Sequence, residues 1–215
     1  MLLTAHSGAN GTAPNGVEYF EAMKNLNVDV IEVDIRRLRG EFYLTHDKTF
    51  FPKNKGFLPV SYAFEFIKRY DFKINCDLKA EGYVPYVTEL AEKYGVEDRL
   101  IITGSAADKK DLAAMKFGDL YVNADYLPKA QVKNVKKMRE ILDKMGPRAK
   151  GINVSYKKVS DEFFFTCEKE NVPVSLFTLN EEKLLEKYAT FPAIVNITTC
   201  LANEALRILG KEIRK

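Results

Sequence analysis

Val28-Asp29-Val30-Ile31-Glu32-Val33-Asp34-Ile35 is an apolar, β-branched run with two carboxylates, Glu32 and Asp34, set two residues apart inside it. Successive residues of a strand point to opposite faces. Ile31, Val33 and Ile35 therefore share a face suited to packing beneath helices, and Glu32 and Asp34 share the other. Residues 72–79 repeat the arrangement: Ile74, Cys76 and Leu78 point one way, Asn75, Asp77 and Lys79 the other. Carboxylates on the inner face of a buried strand are costly unless they are paired or bind a cation. At the C-terminal ends of barrel strands they have a use, because barrel active sites form at that rim. A purely structural ion pair between Lys79 and one of these acids is the plainer alternative.

Outward from these two strands the chain alternates. Strands are predicted over 1–6, 28–35, 72–79, 99–103, 119–123, 150–155, 172–178 and 193–198. Helices are predicted over 17–26, 60–70, 84–94, 108–116, 129–145, 160–170, 181–188 and 201–211. A hairpin arm over 38–46 turns at Arg39-Gly40. Strand–helix units of about 27 residues fit a lean (β/α)₈ TIM barrel, one compact domain over 1–215 with little or no inserted subdomain. A doubly wound open sheet is the architectural alternative, but no Gly-rich phosphate loop follows any strand.

The chain has two histidines, and both close apolar runs: His6 ends the first strand and His46 ends the hairpin. An unperturbed imidazole, with a pKa of about 6.5, exchanges its proton near neutral pH. Two of them beside a carboxylate pair point to general acid–base catalysis around a metal. Two histidines satisfied by local hydrogen bonds is the bland alternative.

Composition narrows the classes. A chain of 215 residues with 46% hydrophobic and 29% charged residues can bury a full core. A net charge of +3, with basic and acidic residues interleaved, gives no argument for nucleic acid. Cys76, Cys167 and Cys200 have no CxxC spacing and read as reduced thiols. No apolar run approaches the roughly 20 residues that span a membrane, and Met1-Leu2-Leu3 leads straight into polar residues. The expectation is a cytoplasmic protein without stable membrane insertion.

Taken together the motifs resemble the glycerophosphodiester phosphodiesterase family. His6-Ser7-Gly8 stands where the family has His-Arg-Gly, and Ala13-Pro14-Asn15-Gly16 where it has Pro-Glu-Asn-Thr. Glu32-Val33-Asp34, His46-Asp47 and Asp77-Leu78-Lys79 match its Glu-x-Asp, His-Asp and Glu-x-Lys. Phe177-Thr178-Leu179-Asn180 matches its aromatic-Thr-x-Asn. The resemblance spans essentially the whole chain.

It implies a phosphoric diester hydrolase of lipid and glycerol metabolism, acting on a small-molecule phosphodiester. Glu32, Asp34 and Asp77 would bind one divalent cation, and an all-carboxylate set favours Mg²⁺ or Ca²⁺. His6 and His46 would be the catalytic acid and base, with Lys79 and Ser7 on the phosphate. Phe177, with the phenylalanines at 50, 51 and 57, would wall the alcohol pocket; simple packing is the alternative, and the commoner role of aromatics in such loops. Three departures bear on this. Ser7 offers one neutral hydrogen bond where arginine offers a charged, often bidentate one. Asp77 is one methylene shorter than the family's glutamate, and Pro14 replaces an acid. Arg36, on the face of Glu32 and Asp34, is expected in a surface salt bridge, with restoring the positive charge lost at Ser7 as the alternative. The rival classes are another phosphodiesterase or phospholipase on the same barrel, and a ligand-binding barrel without turnover.

Overall fold

In the computed structural model, which describes residues 1–49 and 56–211, strand β1 (Leu2–Ala5) pairs in parallel with both β2 (Val30–Leu38) and β9 (Ile194–Thr199). That double pairing closes a barrel. Between β2 and β9 run β4 (Lys73–Leu78), β5 (Leu100–Gly104), β6 (Asp119–Asn123), β7 (Ala149–Ser155) and β8 (Val174–Phe177), each parallel to its neighbours. The short β3 (Glu41–Leu44) lies antiparallel on β2, outside the closed ring. Arg39 (φ 50°) and Gly40 (φ 89°) make the turn between them, and two positive φ values are what a tight right-twisting hairpin turn demands.

Helices α1 (Val17–Met23), α2 (Val60–Tyr70), α3 (Val84–Tyr94), α4 (Lys109–Ala114), α5 (Val135–Met145), α6 (Asp161–Lys169), α7 (Glu182–Tyr188) and α8 (Ala202–Ile208) wrap the barrel. Expected and observed elements agree in number, type and order. The main difference is α5, which starts at Val135 after a 3₁₀ turn over Val132–Asn134, so 129–131 is loop rather than helix. Of Lys129, Ala130 and Gln131 only Ala130 is apolar and packs on the core, too little to make a helical face. The helix over 108–116 shortens to α4, capped by Asp108, whose carboxylate accepts the Lys110 and Asp111 N–H groups. No helix among the described residues is long and apolar enough to cross a membrane.

Two apolar clusters divide the interior. The large one lies between strands and helices and takes in Ile31, Val33, Ile35, Ile74, Cys76 and Leu78, as the alternation requires. The small one, Val30, Ile101 and Tyr121 with Leu2 and Val195 against it, plugs the barrel. Beyond that plug, toward the C-terminal ends of the strands, the inward positions turn polar: Thr4, Glu32, Asn75, Thr103, Asn153 and Asn196. The change from apolar plug to polar layer places the site at this end. Phe50 and Phe51 lie outside the described residues.

Candidate active site

A cleft of about 250 Å³ opens at the C-terminal rim. Glu32 and Asp34 reach it from β2, Asp77 and Lys79 from the end of β4, His6 from just past β1 and His46 from just past the hairpin. Asn75, Thr103, Asn123, Asn153, Phe177, Thr178 and Thr198 complete the wall. Of the expected site residues, seven line this one cleft and Ser7 does not.

The acids are assembled by register. Glu32 stands opposite Asn75, and Asp34 opposite Asp77, in the β2–β4 ladder. One oxygen from each of Glu32, Asp34 and Asp77 lies within 4.8 Å of the others. Lys79 Nζ is 2.6 Å from Asp34 Oδ1 and also bonds Asp77, so the expected ion pair forms inside the cleft itself. Thr103 donates its hydroxyl to Asp77 Oδ1 at 2.9 Å. Gly104 follows with φ +80°, and a Cβ there would come within 2.8 Å of Asp77 Oδ1 and 2.3 Å of the Leu78 carbonyl oxygen. Only glycine lets β5 pass this close to Asp77.

A second tier holds the acids from behind. Ser7 is buried, with its backbone N–H donating to Glu32 at 2.8 Å and its hydroxyl to Asp34 at 3.1 Å. It therefore positions carboxylates rather than lining the cleft. Asn15, held at φ 58°, donates Nδ2 to Asp34 Oδ2 at 2.8 Å and accepts the Asp34 N–H at 3.0 Å. Tyr19 of α1 donates to the Ala5 carbonyl at 2.8 Å and accepts the Glu32 N–H at 3.2 Å, bridging the seam between β1 and β2.

The charges respond to this setting. Burial, then Asp34 and Asp77, pushes the Glu32 carboxyl well above the usual carboxylate range, against the pull of the Ser7 N–H and Lys79. Burial also pushes Asp34 upward, but Lys79, Asn15 and Ser7 outweigh it and hold Asp34 low. Lys79 is raised because Asp77 and Asp34 outweigh the cost of its burial. Three acids against one ammonium, with the Glu32 carboxylate hydrogen-bonded only by a neutral N–H among the described residues, is a donor set that fits a divalent cation.

The histidines differ in setting. His6 Nδ1 sits 2.9 Å from the Ser7 carbonyl oxygen and 3.7 Å from Cys200 Sγ. Burial lowers its pKa, yet the contact with Cys200, the Ser7 carbonyl and Asp34 leave it raised. With Nδ1 donating to that carbonyl, Nε2 is the nitrogen that takes up or gives the proton. His46 has its side chain 71% exposed, with Nδ1 3.3 Å from Asp47. Among the described residues Arg36 does not make the surface salt bridge expected of it. Its guanidinium donates twice to the His46 carbonyl, at 2.9 and 3.2 Å, because the hairpin folds that carbonyl back over β2. Asn123, Asn153 and Cys200 carried no sequence signal beyond their presence, since each acts through partners distant in the chain. Phe57 is half-buried and does not line the cleft.

No protein-family profile and no curated protein matches the chain. Solved structures do. An Oleispira antarctica phosphodiesterase in complex with the product sn-glycerol-3-phosphate superposes with a TM-score of 0.78 at 14% identity, covering 98% of this chain and 97% of that one. A glycerophosphodiester phosphodiesterase from Parabacteroides distasonis gives 0.76 at 13% identity, over 97% and 96%. Another from Agrobacterium tumefaciens gives 0.72 at 13% identity, over 98% and 99%. The chain thus has, over nearly its whole length, the (β/α)₈ barrel fold of the glycerophosphodiester phosphodiesterases.

Proposed function

We propose that the protein is a divergent glycerophosphodiester phosphodiesterase, hydrolysing glycerophosphodiesters to glycerol 3-phosphate and an alcohol with one divalent cation, Mg²⁺ or Ca²⁺. One observation carries the reading: three carboxylates within 4.8 Å of one another share a cleft with Lys79 and both histidines of the chain. Glu32, Asp34 and Asp77 would hold the ion. Bound there, it would offset the charge on the phosphoryl oxygens, which grows as the ester is attacked.

The remaining roles belong to side chains. Lys79 presents its ammonium to the phosphoryl group. One histidine takes the proton of the attacking hydroxyl, from water or from the substrate's own glycerol, and the other returns a proton to the leaving alkoxide. Ser7, turned onto Asp34, adds no charge to phosphate binding, so substrate is held more weakly than by an arginine. Phe177 offers the alcohol an apolar surface.

One observation favours a second reading, a binding barrel without turnover: Lys79, the lysine of the cleft, is itself held by two carboxylates. Phosphorus NMR of glycerophosphocholine and glycerophosphoethanolamine with protein and Mg²⁺ or Ca²⁺ separates the two. Conversion of diester to monoester that stops on adding chelator supports the hydrolase. Binding without conversion, across both metals and both substrates, supports the second reading.

A further inference from the structure

β7 lies four strands from β2 in either direction around the barrel, so Asn153 faces the acids from the opposite wall, with Asn123 of β6 beside it. Their orientation is dictated by a backbone group. The Gly104 N–H can only donate, so the Asn123 atom 3.2 Å from it is Oδ1. Asn153 Nδ2 donates to the same oxygen at 2.9 Å. Asn123 Nδ2 and Asn153 Oδ1 are then left without a protein partner among the described residues. Asn153 is only 8% exposed, yet no buried side-chain polar atom among the described residues goes unsatisfied, so these two atoms open on the cleft that both residues line.

A fixed donor beside a fixed acceptor complements hydroxyl groups, which do both. It offers nothing to a quaternary ammonium, a group that prefers aromatic cages. Besides the two imidazoles, Phe177 is the one aromatic ring lining the cleft among the described residues. Beyond Asn123 the chain passes directly, at Ala124, into a second cleft of about 380 Å³ bordered by Asp125, Lys129, Gln131 and Lys158. Leu127 and Ala130 line it beside these polar groups, so it has room for a ring-sized alcohol with an apolar face and hydroxyls.

We propose that Asn123 and Asn153 form a hydroxyl-reading wall that seats a vicinal diol of the ligand, across the barrel from the acids. This rests on the preceding reading in placing the phosphoryl group near Lys79. The diol belongs either to a glyceryl end or to a polyol head group, and the chemistry read is the same.

The test is equilibrium binding, which does not require turnover. Dissociation constants for sn-glycerol 3-phosphate, myo-inositol 1-phosphate and n-propyl phosphate are measured by NMR titration on the parent, Asn123→Leu and Asn123→Asp. Asn123→Asp keeps the oxygen that accepts from Gly104 and Asn153 and turns the outward donor into an acceptor. The charge it adds weighs on all three phosphates alike, so the ratio to n-propyl phosphate is the readout. The parent should bind at least one diol about tenfold more tightly than n-propyl phosphate, as two hydrogen bonds imply, and both variants should bring that ratio close to one. Preference for glycerol 3-phosphate assigns the wall to the glyceryl end, and preference for inositol 1-phosphate to the head group. A parent that does not discriminate, or folded variants that keep the full ratio, would overturn the proposal. Diol discrimination in a protein that turns over no diester would leave this inference standing and remove the hydrolase reading.

Discussion

Asn15 and Asp34 are joined by two hydrogen bonds, one to the carboxylate at 2.8 Å and one from the Asp34 backbone N–H at 3.0 Å. A loop asparagine thereby fixes both the side chain and the main chain of a candidate metal ligand. Partners of this kind orient a ligand as firmly as its own strand does.

Asn15→Ala should therefore weaken Mg²⁺ or Ca²⁺ binding by about 10–100-fold, the usual effect of losing such a partner. It leaves a buried N–H unsatisfied, so stability should also fall by about 1–3 kcal/mol. Calorimetric titration and thermal unfolding measure the two effects. Unchanged cation affinity in a folded Asn15→Ala protein would show that Asp34 does not depend on this support.

Lys79 competes with any cation for Asp34 and Asp77. Lys79→Met should bind the divalent ion more tightly than the parent while hydrolysing diesters more slowly. Without the ion it leaves three acids uncompensated, so unfolding should come earlier by about 3–5 kcal/mol, with added Mg²⁺ or Ca²⁺ restoring the loss. A variant whose cation affinity drops would mean that the ammonium organises the acids rather than competing for them.

The two histidines can be told apart by leaving group. A p-nitrophenolate departs without being protonated, whereas the alkoxide of glycerophosphocholine needs a proton. Replacing the general acid should cost about 10²–10⁴-fold on glycerophosphocholine and little on bis(p-nitrophenyl) phosphate. Replacing the base should cost both substrates alike. His6→Ala and His46→Ala are assayed side by side, and full activity in both variants would rule out acid–base catalysis by these residues.

The thiols should react unequally. Burial, then Glu32 and Asp77, pushes the buried Cys76 thiol far up, and burial pushes Cys167 up to about 12. Both stay protonated at pH 8, while Cys200 is half-buried beside His6. Native protein should release one rapid equivalent with a thiol reagent and two more only on unfolding, and Cys200→Ala should remove the rapid one. An unfolded thiol loses its proton near pH 8.5, so the native state holds the Cys167 proton to higher pH. That contribution is fully present below about pH 8.5 and is lost as pH rises toward 12. Melting temperatures taken across pH 8–11 should fall less steeply in Cys167→Ala.

The sequence by itself determined the alternation of strands and helices and which strand faces turn inward, because those signals are local. A period-two pattern in 30–35 and 74–79 decides which residues face helices and which face the interior, and a strand's own residues settle that without its neighbours. For the same reason Glu32, Asp34, Asp77 and Lys79 were legible as one inward group, and His6 and His46 as strand-end residues. What only the tertiary structure decided are the pairings between distant segments. Ser7 turns onto the acids, and Arg36 spends its guanidinium on the His46 carbonyl. Cys200 meets His6 across 194 positions, where β9 closes on β1. Asn123 and Asn153 take their orientation from the Gly104 N–H, 19 positions before Asn123. Such hydrogen bonds depend on register and barrel closure, and no residue pattern within a single strand records either.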